Sequence, residues 1–271
     1  MNVITDTKQI HLSPSGATDK KNGILNSSLL FNIPFFIRKE KNLIYNTIKV
    51  LHAEIPYSFY IINEYNYKLV LSTGTINFPY GNYNANTFMQ MLQPLLPVNM
   101  SIIFDTFTGK FTLNYNQSFS VLSSSTCSKL MGFTKSIVLT SSSNKIVFTY
   151  PANFLGTKNL YIKTPNLLIE NYNTNTKDYS TLLSLPVGVS PFGIINYDNV
   201  SSSKNVIKNT NGTDTLDVLI VDDDNNPVDF NNIDWSITIE LESVVQIQQT
   251  YQNTVQDYLN EIYTKNNSQN N

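Results

Sequence analysis

Side-chain catalysis needs nucleophiles, bases or metal ligands, and this chain holds few of them: two histidines, His11 and His52, and one cysteine, Cys127. Histidine is the side chain best suited to exchanging protons near neutral pH. Here, however, His11 falls in a polar N-terminal segment, and His52 lies in an alternating run with no serine or carboxylate motif beside it. A structural histidine is the expectation for His52. The acidic run Asp222-Asp223-Asp224-Asn225-Asn226 invites a calcium reading, because Asp222, Asp224 and Asn226 fall on the first, third and fifth positions of an EF-hand loop. Pro227 replaces the glycine needed at the sixth position and Ile233 stands where a bidentate glutamate belongs, so the match fails and a solvated turn is expected. No G-x-S-x-G, H-E-x-x-H or P-loop sequence occurs. No catalytic, cofactor-binding or metal-binding residue is assigned, no cofactor is expected, and the chain does not read as an enzyme.

The elements around these residues are mostly strands. Leu216–Val221 and Trp235–Leu241 alternate apolar and polar residues, with Leu216, Val218, Ile220, Trp235, Ile237, Ile239 and Leu241 as the inward set. The acidic turn lies between them, and the two read as the closing hairpin of an all-β domain. Further short strands are predicted from Leu29–Ile37 onward, with turn signals roughly every 8–12 residues, the spacing of a sandwich or barrel. Tyr45–Ile55 alternates, but the pattern does not say which parity is buried. Phe88, Met91, Leu92 and Leu95 mark one face of a single internal helix, capped by Asn84 or Asn86 and stopping near Gln93 before Pro94 and Pro97. A shorter helix over Ser123–Met131 ends at Gly132.

Residues 1–28 are polar and broken by Pro14, Gly16 and Gly23, so a flexible arm is expected, either free or ordered on a neighbouring subunit. The ordered domain then spans 29–242. From 243 to 271 the pattern changes: Val244, Ile247, Tyr251, Val255, Tyr258 and Ile262 recur every three or four residues, as on an amphipathic helix. This apolar face is the candidate partner contact. It packs on its own domain, docks on a partner or stays unordered.

Composition narrows the class further. In 271 residues, 41% are hydrophobic, enough for a sizeable core, and sixteen Tyr and fifteen Phe favour strands. The net charge is −2 and Arg38 is the single arginine, which argues against direct nucleic-acid binding. One cysteine allows no intramolecular disulfide. The N-terminus lacks the pattern of a signal peptide, and the apolar run Leu29–Ile37 is too short to span a membrane.

Several landmarks, taken in order, resemble the minor capsid (penton) proteins of virophages and polinton-like double-stranded DNA viruses. They are HAEIPYSFYIIN (His52–Asn63), GNYNANTFMQML (Gly81–Leu92), LMGF (Leu130–Phe133), LYIKTPNL (Leu160–Leu167) and the Leu216–Glu242 end. The resemblance implies a single jelly roll, eight strands in two Greek keys. It implies a homopentamer at the fivefold vertices of an icosahedral virion assembled inside the host cell, beside a double-jelly-roll major capsid protein. No inserted outer domain is evident in the sequence, which makes receptor binding at the vertex doubtful. The competing reading is a carbohydrate-binding β-sandwich, with tyrosines as stacking platforms.

Overall fold

Long alternating runs need a partner on each side, and the computed structural model shows how they find one. It describes residues 3–21, 26–37, 42–171, 173–174, 177–200, 203–208, 212–246 and 258. Four strands come first: β1 (Val3–Leu12), β2 (Asp19–Lys20), β3 (Ser28–Ile37) and β4 (Leu43–Pro56). A block of short strands follows: β5 (Lys68–Leu71), β6 (Gly74–Asn77), β7 (Ser101–Asp105), β8 (Lys110–Asn114), β9 (Ser120–Val121), β10 (Leu139–Thr140) and β11 (Lys145–Val147). The chain closes with β12 (Asn159–Lys163), β13 (Thr181–Pro186), β14 (Ile194–Asp198), β15 (Asn205–Ile207), β16 (Thr213–Val221) and β17 (Ser236–Gln246). Two short helices, α1 (Ala85–Leu92) and α2 (Ser128–Met131), lie in the middle block.

The first and last groups build one antiparallel sandwich. One sheet runs β1-β17-β4-β14, with β15 also on β4; the other runs β13-β12-β16-β3-β2. Residues of both sheets meet in one core, including Ile48, Ile55, Ile237 and Ile239 from the first and Phe31, Leu160, Leu216 and Ile220 from the second. Setting aside the two-residue β2 and counting β14 and β15 as one broken strand, the sheets read first-eighth-third-sixth and fifth-fourth-seventh-second. Every link except β12 to β13 therefore crosses from one sheet to the other.

The all-β expectation holds, and the inward set on β16 and β17 is buried throughout, each residue at 2% exposure or less. Trp235 closes the core edge-on to Phe31, and its indole N–H donates to the Asn26 carbonyl at 2.7 Å. The two strands do not form a hairpin, however. β16 pairs with β3 and β12, whereas β17 pairs with β1 and β4, so the acidic turn carries the chain across the sandwich. On β4 neither parity is buried alone. Ile48 and Val50 point inward, and then Ala53 and Ile55 do, because the register against β17 slips at Leu51. One extra residue on a bulged strand exchanges its two faces.

Two boundaries need correction. Val3–Leu12, expected as part of a flexible arm, pairs over all ten residues with β17, so the sandwich begins near the N-terminus. At the other end, 243–246 continue β17 and are not helical. Backbone bonds to both β1 and β4 outcompete a helix that would be marginal by itself.

The block between β4 and β12 is a second body with its own core, where the sequence showed no insertion. A four-stranded sheet, β10-β9-β5-β6, and a three-stranded one, β11-β8-β7, enclose Leu69, Phe88, Phe111, Leu113, Val121 and Phe148. Asn84 caps α1: it accepts from Thr87 N at 2.9 Å, and Thr87 Oγ1 accepts from Asn84 N at 3.0 Å. Phe88 and Leu92 are buried, but Leu95 is 43% exposed and Leu96 takes its place, because the chain tightens into a 3-10 turn at Gln93. Gly132 ends α2 at φ 84°, where an added Cβ would lie 2.1 Å from the Tyr150 carbonyl oxygen.

Candidate interaction surfaces

Of the face predicted to contact a partner, the structure describes only Val244 and Tyr258. Val244 sits in β17 opposite Thr5 and Tyr45 and is buried, so it belongs to the sheet. Tyr258 is exposed, and Ile247, Tyr251, Val255 and Ile262 lie outside the described residues.

Surface features that the sequence did not single out are plainer. The sheet containing β17 ends in β1 on one side and β14 with β15 on the other. Along the β14 side Phe192, Ile194 and Val200 are exposed, Phe192 at 80%. Phe192 also has φ 71°, a conformation that costs a non-glycine residue about 1–3 kcal/mol. Its N–H donates to the Tyr57 carbonyl and the next N–H to the Ser190 carbonyl, so the loop presents the ring to solvent. On the inserted body, Phe107 at the β7–β8 turn is almost wholly exposed. Contiguous exposed apolar patches mark protein contacts, whereas single exposed rings are ordinary.

Both histidines fall on one row of the same sheet. Thr238 of β17 is in register with His11 on β1 and with His52 on β4. His11 Nδ1 lies 2.8 Å from Thr238 Oγ1, and His52 Nδ1 lies 2.6 Å from Asp198 Oδ1, with Glu54 Oε1 3.4 Å from Nε2. The Asp198 hydrogen bond, with a smaller contribution from Glu54, raises the pKa of His52 above its ordinary value. Sequence reasoning placed no carboxylate beside His52. Asp198 is distant in the chain and arrives only through the β4–β14 register, while Glu54 stood two residues away and carried the one readable hint. Among the described residues no group of three His, Cys, Asp or Glu side chains could hold a metal ion.

Cys127 is fully buried against Met131 Sδ at 3.6 Å, and burial pushes its thiol pKa up, away from the reactive thiolate. The acidic run is a brace. Asp222 accepts from the Asp224 and Asn226 N–H groups, and its burial raises its pKa. Asp223 accepts from Lys158 N at 2.7 Å, and Asp224 pairs with Lys129 of the inserted body. Between the two bodies lies a cleft of about 470 Å³ bordered by this brace, and beside it a smaller one of about 320 Å³ lined by Phe59, Tyr60, Tyr65 and Tyr80. Burial and the Glu64 hydrogen bond push the Tyr65 pKa up to about 12, so its hydroxyl stays protonated.

No family model matches the chain, and no curated protein matches it. Among solved structures, it is similar to the mavirus penton protein at 12% identity, over 90% of this chain and 100% of that one, with a TM-score of 0.40. It is also similar to a chain in the cryo-EM structure of the Sputnik virophage at 12% identity, over 89% of this chain and 98% of that one, with a TM-score of 0.41.

Proposed function

We propose that this protein is a structural virion component, a penton capsomer that forms homopentamers at the fivefold vertices of an icosahedral capsid. The strand order carries the reading. Two sheets ordered first-eighth-third-sixth and fifth-fourth-seventh-second support a single jelly roll, a fold used by viral capsid proteins. The ordered landmarks from His52 to Glu242 support it through their resemblance to the penton family. The second body, inserted between β4 and β12, is read here as an outer domain, so contact with a receptor is again open to a vertex protein.

A fivefold ring repeats one heterologous contact until it closes. The exposed β14 edge with Phe192 and Ile194 offers one half of such a contact. The major capsid protein, itself a double jelly roll, is the proposed neighbour. Nucleic acid is not a direct partner, because the charge balance gives it no basic stripe. Among the described residues no helix is long and apolar enough to cross a membrane. Neither His52 with its carboxylates nor Cys127 supplies an activated nucleophile, so a non-enzymatic role fits the chemistry. Assembly takes place inside the host cell, and the finished protein resides in the virion.

Light scattering after size exclusion tests this directly. A pentamer has about five times the 30.7 kDa chain mass. A monomer at every concentration, and with the major capsid protein added, would refute it. The tyrosine-lined cleft favours one second reading, a carbohydrate-binding module, since exposed aromatic faces stack on sugars. Glycan-array binding by a monomer would establish that reading instead.

A further inference from the structure

Among the described residues, Lys163 is the only charged one that the fold buries, at 3% exposure. It ends β12 and, by strand alternation, faces away from the core that holds Leu160 and Ile162. Its ammonium sits between two side chains brought from distant segments. It pairs with Asp178 and donates to Asn225 Oδ1 at 2.7 Å. Both partners are held in place. Asp178 Oδ1 accepts from Ser180 N at 3.0 Å and from Ser180 Oγ at 2.9 Å. Asn225 occupies φ 65° in the acidic turn, its N–H donating to the Asp222 carbonyl at 3.1 Å, while the Asp222 carboxylate gathers the N–H groups on either side.

We propose that Lys163 and Asn225 form an intramolecular isopeptide bond, with Asp178 as the proton carrier. A 2.7 Å contact to Oδ1 keeps Nζ within about 4 Å of the carboxamide carbon, given a C=O bond of about 1.23 Å. Attack begins from about 3–3.5 Å, so Nζ must move in from the Oδ1 lone pair to the face of the carboxamide. The ammonium first passes a proton to the Asp178 carboxylate paired with it. The freed lone pair on Nζ attacks Cγ of Asn225. As the tetrahedral centre collapses, the proton held by Asp178, together with the one lost from Nζ, reaches Nδ2. The Cγ–Nδ2 bond breaks and the nitrogen leaves as ammonium. One C–N bond forms, one breaks, nothing is oxidised or reduced, and Asp178 ends as it began. The product ties the end of β12 to the turn between β16 and β17. A cross-link over so long a stretch of chain restricts the unfolded state as a disulfide does, in a protein whose single cysteine rules out that staple.

The inference stands whether or not the protein is a capsomer, and intact mass under denaturing conditions decides it. The purified full-length protein is expected to be lighter than its sequence by one ammonia, and digestion should yield a branched peptide joining Lys163 to Asn225. Lys163→Arg and Asn225→Ala should each restore the sequence mass. Asp178→Ala, which retains both joined residues, should leave most molecules unlinked. The full sequence mass in wild-type protein, fresh and after prolonged incubation at neutral pH, would overturn the proposal. Loss of one water with Asp178 joined to Lys163 would overturn the assignment to Asn225. Complete linkage in Asp178→Ala would overturn the role of Asp178.

Discussion

The sandwich and the inserted body solve the same burial problem in opposite ways. The sandwich uses long strands whose partners are far away in the chain: β1 lies on β17, and β4 is flanked by β17 and by β14 with β15. The inserted body uses short strands and near neighbours, such as the β5–β6 and β7–β8 hairpins, filled by clustered rings around Phe88 and Phe111. The first is built from non-local contacts and the second from local ones, so they should respond differently to damage. The acidic brace and its Lys129 pair join them without merging their cores.

The sharpest way to break that comparison is to empty each core in turn. Trp235→Ala removes the largest buried side chain of the sandwich and should cost about 3–5 kcal/mol there. Phe88→Ala should cost a similar amount in the inserted body. Hydrogen exchange read peptide by peptide is expected to show each loss confined mainly to its own body. Equal loss of protection in both bodies from either variant would mean that they unfold as one unit.

A smaller effect tests how tightly the inserted body is built. Gly132→Ala forces a Cβ into the Tyr150 carbonyl at a positive φ, and should destabilise that body by about 1–3 kcal/mol. Thermal melting of the variant measures it, and an unchanged midpoint would show that the α2 end can relax. Asn84→Ala removes the α1 cap and should cost about 1 kcal/mol by chemical denaturation, with Asn84→Ser recovering most of it.

The smallest effect concerns the sandwich face. His52 has a folded pKa above its ordinary value near 6.5, because Asp198 and then Glu54 favour the protonated ring. Its stabilising contribution is therefore full below about pH 6.5 and fades as pH rises through the raised folded value. The group is well exposed, so the change should be slight. His52→Asn should flatten the stability profile over that window, and an NMR titration of His52 showing a pKa at or below 6.5 would contradict the cause.

What the sequence revealed followed the same division. Local signals were legible: the helix cap at Asn84, the Gly132 stop, and the alternation that put the inward residues of Leu216–Val221 and Trp235–Leu241 in the core. Non-local facts were not. Val3–Thr7 are exposed and carry no apolar alternation, so only the unpaired edge of β17 makes them a strand. Alternation on β16 and β17 identified strands but not partners, hence the mistaken hairpin. The Leu51 slip is invisible until β17 is laid beside β4. The insertion left no boundary because both bodies are built of apolar strands joined by Asn-, Ser- and Thr-rich turns. Asp198 beside His52, and Asp178 and Asn225 around Lys163, likewise come together only through the fold.

The proposed function assigns ring formation to the sandwich and leaves the inserted body outside the ring. Replacing residues 62–154 by a short Gly/Ser linker and weighing the product by light scattering tests that assignment most directly. A five-copy particle, matching the full-length protein in copy number, is expected. A monomer from the trimmed but folded sandwich, where the full-length chain is pentameric, would contradict it and move the contact to the inserted body.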